Sequence, residues 1–422
     1  MPPRTALSSN HGSTHPARSG ARPPAVRHKL AEWAMSRVAA AYGWPPLTIE
    51  LWDGLTVYTP PSPPVARVKI RDWSVIRGAL FNPQLALGDG YASGKIECEG
   101  DLVALLEESF RSAGRAPAWA RLWTRIASMR LPQTSRQAAR ENIHHHYDVG
   151  NEFYRLWLDE RMIYTCAYFD RPERGLDAAQ VAKLDHVCRK LALRPGERVI
   201  EAGCGWGALA LHMAERYGVS VRAYNISKEQ VRLARETAQR RGLGDRVEFV
   251  DDDWRSASGE YDAFVSVGML EHVGKKNYRE LGRVIDRCLA AHGRGLIHSI
   301  GRARPTPMDS WLSRRIFPGS YIPSLGEMMA VFEPSSLAVL DVENLRPHYA
   351  RTLELWLQRF EASTDRIREM YDEPFVRSWR LYLASSIASF RTGWCQLYQI
   401  VFSRAAGDTL PWTRAHVYRD PA

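Results

Sequence analysis

Three glycines at alternate positions stand in Glu201-Ala202-Gly203-Cys204-Gly205-Trp206-Gly207. The apolar run Val199-Ile200 precedes them, and Ala208 to Arg216 follows with helical character, so the stretch reads as strand, tight turn and helix. Glycine lets the backbone take positive φ and lets a ligand approach where a Cβ would stand. The start of the following helix offers free N–H groups. The spacing is not the Gly-x-Gly-x-x-Gly of dinucleotide sites, and no Gly-Lys-Ser/Thr follows, so a phosphate-binding P-loop is excluded. Glu201, at the strand end, can meet a cationic or polar group. A plain strand-to-helix turn would use similar residues. A nucleoside-like ligand without a pyrophosphate fits best, and S-adenosylmethionine is the commonest of that kind.

The elements around this turn form a repeating strand–helix pattern from about Ala178 to Ala303. Strands are predicted at Arg198–Ala202, Ser220–Tyr224, Val247–Val250, Tyr261–Val267 and Gly295–Ile300, with helices between them, such as Lys228–Arg241. That pattern predicts a doubly wound parallel sheet with its ligand crevice at the carboxyl ends of the strands. The residues expected there are Gly203 to Gly207, Asn225-Ile226-Ser227, Asp251 to Trp254, Gly268 to Gly274 and His298 to Gly301. Three consecutive histidines, His144 to His146, invite a metal reading. Adjacent side chains point apart, so at most two could converge on one ion, and no metal is expected. Met162 to Phe169 is dense in aromatics and carries Cys166, which by type is an inert core residue.

The 422-residue chain has room for two or three domains. Its net charge of +10 points to acidic partners: nucleic acid, anionic lipid or acidic substrate. The six cysteines are scattered, which argues against a disulfide scaffold and for a reducing compartment. No apolar run approaches the roughly 18–20 residues that cross a bilayer, and no signal peptide is evident. Residues 1–28 read as a disordered basic tail. Residues 29–114 read as a small mixed domain. It has a helix through Leu30, Trp33 and Val38, a hairpin around Asp53-Gly54, strands at Arg67–Ile70 and Ile96–Cys98, and a helix capped by Asp101. Residues 115–140 read as a basic linker helix in which Trp119 and Trp123 interleave with arginines; its exposed face is either solvated or lipid-facing. Residues 141–404 hold the strand–helix domain, whose last strand, Leu397–Phe402, can return antiparallel. Residues 405–422 read as a tail.

An ordered set of motifs resembles the cyclopropane-fatty-acyl-phospholipid synthases and mycolic acid cyclopropane synthases. It includes His146-Tyr147-Asp148-x-Gly150-Asn151, Tyr164-Thr165-Cys166-Ala167-Tyr168-Phe169, Gly203 to Gly207, Ser227-Lys228-Glu229-Gln230, Val267 to Gly274, His298-Ser299-Ile300-Gly301, Ile316-Phe317-Pro318-Gly319 and Gln396-Leu397-Tyr398-Gln399. The resemblance implies an α/β, class I methyltransferase fold. That is a doubly wound, seven-stranded, Rossmann-like sheet preceded by a small α+β lipid-binding domain. It implies methyl transfer from S-adenosylmethionine to the cis double bond of an unsaturated phospholipid acyl chain, followed by proton loss to bound bicarbonate and ring closure. Matched position by position, bicarbonate would be held by Cys166 (through its backbone), Glu271, His298, Ile300 and Tyr349. S-adenosylmethionine would meet Tyr164, Thr165, Glu201, Gly203, Gly205, Gly207, Asn225, Ile226, Gln230, Asp252 and Asp253. Thr165 stands where serine is usual and Asn225 where threonine is usual; Asp252-Asp253 departs from the Trp-Glu of the mycolate enzymes.

The expected setting is the cytoplasmic face of a membrane, reached through anionic lipid. A homodimer stays open. The basic residues lack the base-stacking motifs of nucleic-acid binders, so no nucleic acid is expected. Two alternatives stand beside this reading: a related methylation giving a branched or methylene chain or acting on another small acceptor, and a non-catalytic lipid binder.

Overall fold

The computed structural model describes residues 25–127, 150–404 and 410–418. The first unit is a four-stranded sheet in the order β2-β1-β3-β4, with β1 at Leu47–Leu51, β2 at Thr56–Tyr58, β3 at Ala66–Ile70 and β4 at Ile96–Gly100. β1 and β2 are the expected hairpin; Gly54 turns it at φ +83° and Asp53 accepts the Leu55 N–H. β1 runs parallel to β3; α1 (Ala25–Ala41) precedes β1, and α2 (Trp73–Phe81) and α3 (Pro83–Ala92) follow β3. Asn82 ends α2 and caps α3, its side chain accepting the Leu85 N–H. α4 (Leu102–Ala113) starts at Asp101, which accepts from Val103 and Ala104 as an N-cap should. α5 spans Ala118–Ala127.

The second unit is a seven-stranded sheet in the order β10-β11-β9-β8-β5-β6-β7. Its strands are β5 (Arg198–Ala202), β6 (Ser220–Asn225), β7 (Val247–Asp251), β8 (Tyr261–Val267), β9 (Leu289–Gly301), β10 (Leu337–Asn344) and β11 (Gln396–Arg404). β5 to β9 are mutually parallel, and β11 is inserted antiparallel between β9 and β10. The central strands are apolar on both faces, as helices covering both faces require: Val199, Ile200, Ala263, Phe264, Leu296 and Ile297 are all buried. The chain runs outward from β5 to β7, then returns to β8. The strand order therefore reverses between β5 and β8, which is where such sheets open a ligand crevice. The helices that frame it are α6 (Leu176–Lys190), α7 (Ala208–Tyr217), α8 (Lys228–Arg240), α9 (Tyr278–Cys288), α10 (Arg346–Ala362) and α11 (Glu373–Arg391).

Two boundaries and one pair of helices differ from expectation. α1 begins at Ala25, inside the stretch expected as a tail. The C-terminal stretch also packs: Arg414 pairs with Asp341, and Val417 is buried in the turn Ala415–Tyr418. α2 and α3 were not foreseen, because Gly78, Gly88 and Gly90 lower the helical signal of the segment. Of the basic linker helix, only the part through Ala127 is described. His144 to His146 lie outside the described residues.

The two units are joined along α3, α4 and α11. Arg315 grips Asp89 through two bonds of 2.9 and 2.7 Å. Arg377 donates to the carbonyls of Tyr91 (2.6 Å) and Ile96 (2.7 Å), with its guanidinium over the Tyr91 ring. Trp394 donates to the Phe110 carbonyl. Gly88 lies against Trp311 so closely that a Cβ would come 2.3 Å from the indole. Gly88→Ala is therefore expected to lower stability by about 1–3 kcal/mol through overpacking. Gly114→Ala, where the Cβ would meet open space, leaves the thermal midpoint unchanged. Calorimetric melts of the two variants check this.

Candidate active site

The carboxyl end of β5 leads into the glycine turn. Gly203, Gly205 and Gly207 all have positive φ, at +84°, +54° and +85°. A Cβ on Gly203 would strike Met269 at 2.9 Å and one on Gly207 would strike Phe249 at 2.5 Å, so those two glycines serve close packing. A Cβ on Gly205 would meet nothing within 4 Å. Gly205 is the position where the turn is bare toward open space, as a ligand cradle requires. Asn225, at the end of β6, donates to the Gly205 carbonyl (3.1 Å) and to Gln230 of α8 (2.8 Å), tying the turn to the next helix start. Ile226, half-buried, follows it.

Glu201 is buried beneath the turn and its Oε2 has no protein partner. Loss of water pushes its carboxyl up to about 8, against the opposing pull of Lys183. Lys183 of α6 is buried too; burial pulls its ammonium down to about 8, and it donates to Thr165 Oγ1 at 3.0 Å. Tyr164 shares a 2.7 Å hydroxyl bond with Tyr382. At the end of β7, Asp252 accepts the Asp253 N–H. Asp253 is engaged within the chain. Its carboxylate caps the turn Trp254–Ser256 and makes a 3.0 Å ion pair with Arg255.

The ends of β8 and β9 form the second half of the site. Gly268, at φ +72°, lets Thr165 come close; a Cβ there would sit 2.8 Å from the threonine methyl. The helical turn Leu270–Val273 carries Glu271, whose Oε1 accepts the Ile300 N–H at 2.6 Å and whose Oε2 has no protein partner. Burial raises the Glu271 carboxyl to about 7. The Ile300 N–H is thus spent on positioning Glu271 and is not open to a ligand in this arrangement. His298 is buried, and desolvation first, then nearby lysines, hold it neutral, well below its ordinary value. Gln399 Nε2 lies 3.1 Å from His298 Nδ1. With the amide as donor, Nδ1 accepts, so the ring proton sits on Nε2, and that atom has no protein partner. Cys166 is fully buried, its thiol bonded to the Ala167 carbonyl and pushed up by burial, so it is no thiolate nucleophile. Tyr349 of α10 packs its ring on Phe390 and edge-on to Trp356.

A cavity of about 1860 Å³ opens from this half of the site. Tyr164, Thr165, Gly268, Glu271, Ile300 and Tyr349 line one end; Leu47, Ile49, Val68, Ile70, Ile96 and Leu105 of the first sheet unit line the other. It is about twice the upper end of ordinary small-molecule pockets, which run roughly 300–1,000 Å³.

Lys183 and Gln399 escaped the sequence reading. A signal for Lys183 exists: Ala179, Lys183, His186 and Lys190 recur on the buried face of α6, where polar side chains need a reason. Gln399 meets His298 only through cross-strand register, which no local pattern reveals.

The family model for mycolic acid cyclopropane synthetase matches residues 134–400, more than half of the chain. The chain belongs to this family. A second model, for a domain of unknown function (DUF7884), matches residues 40–116. A probable fatty acid methyltransferase of Pseudomonas putida is 36% identical over 398 residues, covering 89% of this chain and 96% of that protein. The cyclopropane-fatty-acyl-phospholipid synthase of Escherichia coli is 36% identical over 350 residues, covering 82% and 90%. Among solved structures, mycolic acid cyclopropane synthase CmaA1 complexed with SAH and CTAB superposes with a TM-score of 0.60 at 30% identity, covering 63% of this chain and 98% of that one. Like these cyclopropane synthases, the protein has the class I methyltransferase fold and is an S-adenosylmethionine-dependent methyltransferase. The bare Gly205 and the partnerless Glu201 oxygen fit such a ligand.

Gly205→Ala is expected to weaken binding of S-adenosylhomocysteine about tenfold or more, since the new methyl occupies the ligand's approach. Gly207→Ala is expected to lower the melting temperature instead, by forcing Phe249 aside. Titration calorimetry paired with thermal melts separates the two effects.

Proposed function

We propose that the protein methylates the cis double bond of an unsaturated acyl chain of a membrane phospholipid and closes a cyclopropane ring, with bound bicarbonate as the base. One observation carries this reading. One cavity, mostly apolar in its lining, runs from the first sheet unit to Thr165, Glu271, Ile300 and Tyr349 at the carboxyl edge of the second sheet. Its size and apolar stretch suit a long hydrocarbon tail better than a compact polar acceptor. Residues 29–114 thus act as the lipid-binding unit, 115–140 as a basic connection and 141–404 as the catalytic unit.

S-adenosylmethionine supplies a reactive sulfonium methyl group, and Glu201, Gly203, Gly205, Gly207, Asn225, Ile226, Gln230 and Asp252 surround its place, with Tyr164 and Thr165 on the substrate side. The alkene is itself the nucleophile and needs no activating base. Its π pair forms the new C–C bond as the S–C bond breaks, and positive charge is left on the other olefin carbon. The protein's task is alignment and exclusion of water. Tyr164 and Tyr349 line the cavity and offer aromatic rings that favour a cation, with Trp356 packed against both. A proton then leaves the added methyl group, and its C–H pair closes the ring.

Of the side chains matched to the base site, Glu271 is held by the Ile300 N–H through Oε1, and the buried His298 carries its proton on Nε2; the proposed base comes from outside the chain. Bicarbonate supplies that base when bound. The Glu271 Oε2 would accept its hydroxyl proton, the His298 Nε2–H and the Tyr349 hydroxyl would donate to its oxygens, and the Cys166 segment would close the site from behind. Lys276, Arg304 and Arg314 line the same cavity and suit a phosphate headgroup. The donor of such a lipid is a bilayer, so the protein works at the cytoplasmic membrane face as a peripheral enzyme; no described helix is long and apolar enough to cross a membrane. The P. putida relative, a probable fatty acid methyltransferase, favours a second reading, a methyl-branched chain, which would need a reductant for the cation.

Incubation with labelled S-adenosylmethionine and vesicles of unsaturated phosphatidylglycerol decides between these. A mass gain of one methylene with loss of the olefin signal is expected; retention of the olefin, or a gain of a methylene and two further hydrogens, refutes the cyclopropane. At constant bicarbonate concentration, turnover should rise with pH through about 7, because Glu271 accepts a proton only when ionised. Glu271→Gln should cut kcat by about 100-fold or more and flatten that rise, while S-adenosylhomocysteine affinity stays near wild type. Depleting bicarbonate should slow the wild-type enzyme, and adding it back should restore the rate.

A further inference from the structure

The outer faces of α1 and α5 are unusual for a water-exposed surface. Leu30 and Trp33 of α1 are 42% and 51% exposed, and Trp119, Leu122 and Ile126 of α5 are 43%, 58% and 60% exposed. Trp119, Leu122 and Ile126 recur at i, i+3 and i+7, so they form one stripe on α5. Arg37 joins the two helices. Its guanidinium lies 5.1 Å from the Trp33 ring and 4.6 Å from the Trp119 ring. The result is one apolar patch across two helices. Arg27, Lys29, Arg115 and Arg121 stand exposed around it. Glu32 is the only acidic residue on either helix.

The same two helices are walls of the cavity. Met35, Val38 and Ala39 of α1 line it from inside, as do Arg121 and Leu122 of α5. Leu122 is therefore both exposed and cavity-lining, which makes α5 a lip of the cavity.

We infer that the α1–α5 face docks on an anionic lipid bilayer, inserting Leu30, Trp33, Trp119 and Ile126 at headgroup depth so that the cavity opens directly into the acyl layer. This rests on the acyl-lipid reading above. Charge and continuity favour this occupant. Tryptophan and arginine together suit the water–lipid boundary, where the ring is half wet and the cation meets phosphate. The aliphatic tips beyond them suit the acyl margin. A hydrocarbon tail crossing from bilayer to cavity through water would expose its apolar surface on the way; a lip embedded in the lipid removes that barrier. A protein partner would need none of this continuity with the cavity.

The test uses the full chain and the double variant Leu30→Ser/Ile126→Ser, whose residues are outside the cavity wall. Binding is measured by co-sedimentation with vesicles of unsaturated phosphatidylglycerol and phosphatidylcholine, and with vesicles of phosphatidylcholine alone. Wild type is expected to bind the anionic vesicles about tenfold or more tightly than the neutral ones. The variant is expected to lose about tenfold or more in affinity for the anionic vesicles. Its turnover on vesicles should fall in step, while turnover on the same lipid dispersed in detergent micelles stays within about twofold of wild type. Three results overturn the inference: unchanged vesicle binding by the variant, equal binding to neutral vesicles, or a wild-type dimer in sedimentation velocity that the variant splits into monomers. The last would make the patch an interface between copies. If the reaction reading is wrong, neither vesicles nor micelles yield product, yet the binding comparison still decides the docking face.

Discussion

Polar atoms stripped of water and left without a protein partner govern this molecule. Glu201 Oε2, Glu271 Oε2 and His298 Nε2 are buried at the carboxyl edge of one sheet, and none is satisfied from within the chain. Each such atom costs stability, about 1–3 kcal/mol where a partner is lacking. A fold keeps that cost when a ligand completes the set. Two carboxylate oxygens and one imidazole nitrogen are left open in this way, on either side of the switch point between β5 and β8. Desolvation also fixes the protonation states. It raises both carboxyls toward neutrality and keeps His298 uncharged, so small changes of occupant change which groups carry a proton.

The rest of the architecture keeps that edge dry. The aromatic cluster of Phe153, Tyr154, Trp157, Tyr164, Trp356 and Trp379 fills the space behind the site with edge-to-face and tilted rings. The first sheet unit closes the front. Its join to α11 and to the Trp311 segment makes one cavity lined by both units. The reversed strand β11 has a double role: it completes the sheet and carries Gln399 to His298, fixing which ring nitrogen bears hydrogen.

Much of the catalytic unit was legible because its signals are local. Apolar runs marked β5 to β9, and alternating glycines marked the turn. The carboxyl ends of β8 and β9 marked the segments that carry Glu271 and His298, and the family resemblance picked out the two residues. The hairpin at Asp53-Gly54 and the Asp101 cap were local in the same way. What stayed hidden depends on distance in sequence. Gln399 reaches His298 across 101 positions, and Lys183 reaches Thr165 from a different element. The ion pair that Asp253 makes with Arg255 was not read from the strand-end pattern either. The shared cavity could not be read at all, since its walls come from strands and helices of both units that meet only in the folded chain.

The way the units grip each other has a consequence for descent. Arg377 holds the main-chain oxygens of Tyr91 and Ile96, and Trp394 holds that of Phe110. Main-chain oxygens are the same whatever side chain they carry. Substitutions at Leu47, Ile49, Val68 and their neighbours can therefore shorten, lengthen or bend the trough while the hinge points stay fastened. Selection can retune the enzyme toward tails of another length by altering the liner alone, with the chemistry bequeathed intact.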